Sequence, residues 1–268
     1  MKIYPNCLEI IPNYNAFIVD VWGVIHSGGV LYPNTQNAMQ EMCKLGCVYL
    51  LSNAPRKSLK VQKFLTGIGI KQGIHYHEIL TSGEAFILYA KENKYHKMFY
   101  IGPDKDLDVL ENTGIDITLN PSKTFDAAIV TGLTDINDLS QDLPALKKLL
   151  EKNITLSCIN PDIIVCTTNG NQLCAGAVAK EYENMGGNVK YFGKPYSEVY
   201  DAVLSKIKGD KILAIGDGMS TDILGANNTK IDSILCTEGI HSNDIKWKGI
   251  DAFLAEFTFK PQFVMPHI

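Results

Sequence analysis

The run Phe17-Ile18-Val19-Asp20-Val21-Trp22-Gly23-Val24 decides how this chain is read. β-branched and aromatic residues in that density suit a buried strand, and this strand delivers a carboxylate into a glycine-containing turn. An open α/β sheet presents reactive groups in that manner, outside the C-terminal ends of its strands. Taken singly, Asp20 could equally cap a helix. A second stretch of the same design, Lys211-Ile212-Leu213-Ala214-Ile215-Gly216-Asp217-Gly218, with Asp222 just beyond it and Lys194 ahead of it, turns one acid into a constellation.

Working outward, short β-rich runs alternate with amphipathic ones. A helical pattern over 34–45 precedes a strand from Cys47 to Leu51, which stops at Ser52-Asn53-Ala54-Pro55. A helix over 56–66 and a short strand Glu78-Ile79-Leu80 end at Thr81-Ser82. The middle repeats the alternation at Met98–Ile101, Ala127–Val130, Leu143–Leu150 and Thr155–Ile159. The last third resumes it with helices over 200–207 and 221–228 and strands over 211–215 and 233–236. This spacing predicts an α/β protein with parallel sheets covered by helices. The acids, the lysine and the glycine turns fall in 1–82 and 188–268, while 83–187 carries no comparable set. That division predicts a doubly wound parallel-sheet core over 1–82 and 188–268 and a second α/β domain, 83–187, inserted into it, with Gly186-Gly187 as the return point.

Composition excludes several classes. A formal net charge of -4 with no Lys/Arg block argues against a nucleic-acid partner. Seven scattered cysteines with no C-x-x-C pair suit reduced thiols in a cytoplasmic protein. Met1-Lys2-Ile3-Tyr4-Pro5-Asn6 lacks the apolar core of a signal peptide, and no stretch reaches membrane-spanning length, so no membrane partner is expected. Gly216-Asp217-Gly218 begins like a dinucleotide fingerprint, but Thr221 stands where its third glycine belongs. His75-Tyr76-His77-Glu78 has no further His or Cys at zinc-ligand spacing.

A carboxylate can attack phosphorus and form an acyl phosphate. A dianionic phosphate repels that carboxylate, so such a site needs a divalent metal and a fixed cation. Asp20, Asp217 and Asp222 offer the hard oxygens Mg²⁺ prefers, and Lys194 offers the point charge. Ser52 brings a hydroxyl for a phosphoryl oxygen, and Gly23 lets a backbone N–H come close to the phosphate.

With those residues in this order, the chain resembles the haloacid dehalogenase (HAD) superfamily of phosphohydrolases. It is most similar to subclass IIA, the branch with a large α/β cap that holds N-acetylglucosamine-phosphate and p-nitrophenyl-phosphate phosphatases. Asp20-Val21-Trp22-Gly23-Val24, Leu51-Ser52-Asn53, Gly193-Lys194-Pro195 and Gly216-Asp217-Gly218-Met219-Ser220-Thr221-Asp222 match its four motifs. Thr81-Ser82 and Asn160-Pro161-Asp162 match flanking signatures. The resemblance implies a Rossmann-like core, Asp20 as nucleophile, and Ser52, Asn53 and Lys194 around the phosphoryl group. It also implies Mg²⁺ held by Asp20, the Trp22 carbonyl and Asp217, with Asp222 supporting the metal. The substrate class is a small phosphorylated metabolite: a sugar phosphate, a nucleotide or another organic phosphate. The inserted domain would choose it, and a second copy of the chain is a candidate partner; residues of that domain such as Tyr182 and Asn169 could face substrate, but the sequence does not set them apart from packing residues.

One departure stands out. The family carries an acid/base Asp two residues after the nucleophile, where this chain has Trp22. An indole N–H only donates. Proton transfer is typically worth about 10²–10⁴ in rate, so a slow enzyme is expected. His26 in the same loop is the candidate substitute. The alternative is a phosphometabolite-binding or regulatory protein of the same fold.

Overall fold

The computed structural model describes residues 2–167 and 170–268, so Asn169 lies outside the described residues. The chain divides into two compact units, one of Met1–Ser52, Leu59–Leu80 and Lys194–Ile268, the other of Asn53–Ser58 and Thr81–Gly193.

The first unit opens with β1 (Ala16–Val19), a small hairpin of β2 (His26–Ser27) and β3 (Val30–Leu31), α1 (Thr35–Leu45), β4 (Cys47–Ser52), α2 (Ser58–Gly67) and β5 (Glu78–Thr81). The second follows as α3 (Ser82–Glu92), β6 (Lys97–Ile101), β7 (Asp116–Thr118), β8 (Ala127–Val130), α4 (Leu143–Glu151), β9 (Leu156–Cys158), β10 (Ile164–Thr167), β11 (Gly170–Leu173), α5 (Ala175–Asn184) and β12 (Val189–Tyr191). The chain then returns to the first with α6 (Ser197–Leu204), β13 (Ile212–Gly216), α7 (Leu224–Asn228), β14 (Asp232–Cys236), α8 (Ser242–Lys248), α9 (Ile250–Ala255) and β15 (Phe263–Met265).

The first unit's sheet has six strands in the order β15-β14-β13-β1-β4-β5. β1 pairs parallel with β13 on one side and β4 on the other. All four β1 residues are buried, which explains why its sequence is continuously apolar rather than alternating: helices cover both faces of a parallel sheet. Register decides what meets at its end. Val19 lies level with Ile215 and with Leu50. Asp20, Asp217 and Ser52 therefore emerge together from three adjacent strands.

In the second unit five strands run in the order β12-β9-β8-β6-β7, with β10 and β11 as a separate antiparallel hairpin. β6 shows the period of two directly: Phe99 and Ile101 pack with Leu146, Leu149 and Tyr182, while Met98 and Tyr100 pack with Phe86 and Phe192. Tyr182, a sequence candidate for facing substrate, is a core residue. It is fully buried, its hydroxyl donates to the Ile154 carbonyl (2.7 Å), and a Cβ on Gly187 would come within 2.4 Å of its ring. Because β12 pairs with β9, the return to the first unit falls at Gly193–Lys194 rather than at Gly186-Gly187. Among the described residues no helix is long and apolar enough to cross a membrane.

Candidate active site

The end of β1 is pinned before the catalytic geometry begins. The Asp20 N–H donates to the Ile215 carbonyl (2.9 Å), and the next turn closes through Ile25 N–H to Val21 (3.1 Å) and Gly23 N–H to His26 (3.0 Å). Gly23 adopts φ +79°, and a Cβ there would lie 1.9 Å from Asp217 Oδ2. This corrects the reading of Gly23 as a phosphate-binding N–H. Its N–H is committed to His26, and glycine is required because Asp217 packs where a side chain would stand.

One oxygen from each of Asp20, Asp217 and Asp222 lies within 4.8 Å of the others, and all three residues are buried. Lys194, also buried, bridges two of them: its Nζ donates to Asp20 Oδ1 and to Asp222 Oδ1, the latter at 2.8 Å. Asp222 is engaged on its other oxygen too, by the Gly218 N–H (3.1 Å) and the Thr221 hydroxyl (3.3 Å). It therefore positions Lys194 and the turn. Tyr200 donates to the Asp222 carbonyl (3.3 Å).

Three carboxylates against one ammonium leave a buried negative excess. Burial pushes Asp20 up to about 7; Lys194 pulls against that shift, and Asp222 adds to it. Burial also drives Asp217 well above the carboxylate range, with Asp20 and Asp222 as like charges contributing. For Lys194 burial favours the neutral amine, but the attraction of Asp20 and Asp222 outweighs it and the ammonium is held above its usual range. An all-oxygen cradle with surplus negative charge, closed tightly by glycines, suits a small hard divalent cation such as Mg²⁺.

The sequence reading missed one element of the cradle. The loop after β14 supplies Ile240, whose N–H donates to Asp217 Oδ2 (2.7 Å), and Gly239, whose Cβ would lie 2.1 Å from the same oxygen. His241 Nε2 accepts from the Met219 N–H (3.1 Å) and so ties this loop to the turn that carries Asp217. The available signal was Gly239 soon after a buried strand, the pattern that marks Gly23.

Ser52 is buried at the end of β4, beside the strand that carries Asp20. Asn53 belongs to the second unit, where its side-chain N–H₂ donates to Asp162 Oδ1 (2.8 Å), so one of its donors serves that contact.

Trp22 and His26 form an aromatic packet. The Trp22 ring meets His26 edge-to-face (4.5 Å, 71°) and lies parallel to Phe64 (5.9 Å, 10°), and His26 meets Phe64 at 5.1 Å. His26 was expected to be a loop group able to replace the missing acid. It is instead fully buried, its Nδ1 accepts from the Gly29 N–H (3.3 Å), and burial lowers its pKa to about 4. A neutral ring buried against two other rings is poorly suited to exchanging protons with a substrate.

Comparison with known proteins agrees with this geometry. Residues 17–116 match the family model described as haloacid dehalogenase-like hydrolase, and residues 191–268 match a HAD-hydrolase-like model. The chain belongs to the haloacid dehalogenase-like hydrolases. It is 24% identical to the ribonucleotide monophosphatase NagD of Escherichia coli K12 over 94% of this chain and 95% of that one. It is 23% identical to a 4-nitrophenylphosphatase of Schizosaccharomyces pombe over 88% of each. A haloacid dehalogenase-like hydrolase from Brucella suis superposes with TM-score 0.84 at 27% identity, covering 99% of this chain and 100% of that one. These relatives place the HAD-like hydrolase in the NagD-like branch.

Two outcomes follow from the geometry. In Gly23→Ala the new methyl must displace Asp217, so metal affinity measured by titration calorimetry should fall by roughly tenfold or more while the fold survives, the strain being of order 1–3 kcal/mol. For His26 the ordinary pKa of 6.5 in the unfolded chain exceeds the folded value of about 4. The unfolded chain therefore takes up the proton first. This contribution is intact above pH 6.5 and is lost as pH falls from 6.5 toward 4, by up to about 3 kcal/mol. Denaturant midpoints across that window should drop more steeply for wild type than for His26→Asn.

Proposed function

We propose that the chain is a Mg²⁺-dependent phosphohydrolase acting on a small phosphorylated metabolite through an aspartyl phosphate on Asp20. One observation carries this reading: three buried carboxylates gathered at adjacent strand ends, with Lys194 bridging two of them. A phosphatase needs a nucleophile that can approach a dianion and a positive surround that makes the approach tolerable.

Asp20, at the end of a strand paired on both sides, is the nucleophile. Lys194 neutralises charge on the transferring phosphoryl group and keeps the Asp20 carboxylate oriented. Ser52, at the end of β4 on the neighbouring strand, offers a hydroxyl to a phosphoryl oxygen. Asp20, the Trp22 carbonyl and Asp217 would hold Mg²⁺, with Asp217 oriented by the Ile240 N–H and Asp222 engaged from behind. When bound, that ion supplies charge neutralisation and a fixed orientation for phosphate oxygens. The second unit is read as the cap that chooses among sugar phosphates, nucleotides and other organic phosphates. The described cysteines are free thiols, which suits a reducing compartment and supports a cytoplasmic location.

Trp22 favours one competing reading, a phosphometabolite-binding protein without turnover, because its side chain cannot take a proton. The two readings separate on phosphate release. With Mg²⁺ present the wild-type protein should hydrolyse p-nitrophenyl phosphate above the buffer rate, and Asp20→Asn should fall to that rate. Equal rates for the two proteins would refute the assignment of Asp20, and ligand-induced thermal shifts without any release would favour the binding protein.

A further inference from the structure

Phosphoryl transfer to Asp20 creates a leaving group that either needs a proton or does not, and the first unit bears on which. Lys194 is shared between Asp20 and Asp222. Asp222 is further held by Gly218 and Thr221, and Asp217 accepts from Ile240. The segment that leaves the nucleophile carries the Trp22 indole, packed on His26 and parallel to Phe64. The His26 Nδ1 is occupied as an acceptor by Gly29, which puts the ring proton on Nε2, and that Nε2 is buried without a hydrogen-bond partner. Among the described residues of the first unit, then, the acids and the ammonium beside Asp20 are engaged with one another or with backbone N–H groups and the Trp22 and His26 rings are packed together, so no further acid outside that network stands beside Asp20 to serve a departing oxygen or an attacking water.

We propose, building on the phosphohydrolase reading above, that the substrates are phosphates whose departing oxygen is weakly basic, such as aryl, enol or acyl phosphates. We further propose that the aspartyl phosphate on Asp20 outlives its formation and limits turnover. In the first step a bond forms between Asp20 Oδ and phosphorus while the bond from phosphorus to the leaving oxygen breaks. The electron pair stays on that oxygen as a phenolate, enolate or carboxylate, and no proton moves. In the second step water attacks phosphorus, the P–Oδ bond breaks, the Asp20 carboxylate is regenerated, and the proton of the water passes to bulk solvent. With no separate positioned base among the described residues of the first unit, this second step is slow. An alkoxide leaving group, by contrast, would have to depart unprotonated, which disfavours alkyl phosphates from the outset.

Rapid mixing of the full-length protein with Mg²⁺ and p-nitrophenyl phosphate tests the proposal without any variant. The expected result is a burst of p-nitrophenolate approaching one equivalent per chain, followed by slower release, with intact-mass spectra showing a phosphorylated chain that Asp20→Asn does not form. A substrate series provides the second arm. Alkyl phosphates should react more slowly than p-nitrophenyl phosphate by roughly 10²–10⁴-fold in kcat/KM, and Trp22→Asp, with circular dichroism unchanged, should narrow that gap by about tenfold or more and suppress the burst. Acetyl phosphate faster than the most reactive phenyl phosphate assigns the acyl class, and the reverse order assigns the aryl class. Linear release without a burst, together with alkyl phosphates within about tenfold of aryl ones, would overturn this inference and leave the phosphohydrolase standing. No release and no covalent phosphate from any substrate would remove the phosphohydrolase reading itself.

Discussion

The site depends on one buried ammonium. Lys194 sits between the carboxylates of Asp20 and Asp222, with Asp217 close by, in a region from which water is largely excluded. Two unit charges about 4 Å apart interact by about 4 kcal/mol at an effective dielectric near 20, so three neighbouring carboxylates without a cation would force one another to take up protons. Lys194 opposes two of those charges and fixes two side chains with one atom. It does not cancel all three, and the surplus is what makes the cradle attractive to a divalent cation. Structural stability and metal affinity thus draw on the same imbalance.

Everything else in the first unit serves to deliver those groups to one place. Parallel pairing of β1 with β13 and β4 brings three strand ends level, so that residues far apart in sequence emerge side by side. Gly23 and Gly239 then close on Asp217 from two loops, each leaving no room for a Cβ. The result is an acid held by its surroundings rather than by its own rotamer preference. The neighbouring aromatic packet of Trp22, His26 and Phe64 gives this HAD-like hydrolase a nonpolar wall on the segment that follows Asp20.

Much of this was legible in the sequence because parallel strands buried on both faces announce themselves as continuous apolar runs. Phe17–Val19 and Ile212–Ile215 do so, and an acid next to a glycine at the end of such a run is a strong local signal. The expectation of an inserted unit rests on the gap in chemistry between two halves. The structure ends the second compact unit at Gly193, because Val189–Tyr191, a strand too short to stand out in sequence, lies beyond the Gly186-Gly187 pair. In the β10–β11 hairpin only the first strand, Ile164–Thr167, is apolar, while its partner Gly170–Leu173 is polar and gives no strand signal, and β15 at the far edge of the first sheet is brief. Tyr182 shows a further limit: a hydroxyl invites a functional reading, yet here it satisfies a backbone carbonyl inside a core. His26 shows the converse, since nothing local reveals that a histidine near two glycines will be buried against Trp22 and Phe64. Ile240 acts through its backbone N–H, which side-chain identity cannot disclose.

The central claim is that the clustered carboxylates form a divalent-cation site of which Asp217 is a part. Titration calorimetry of Mg²⁺ into the wild-type protein and into Asp217→Asn tests it most directly. The account predicts one ion bound per wild-type chain, with a rise in melting temperature that grows with Mg²⁺ concentration, and loss of both in the variant. Mg²⁺ that leaves the wild-type melting temperature unchanged and gives no saturable heat, or that binds the variant as tightly as the wild type, would contradict it.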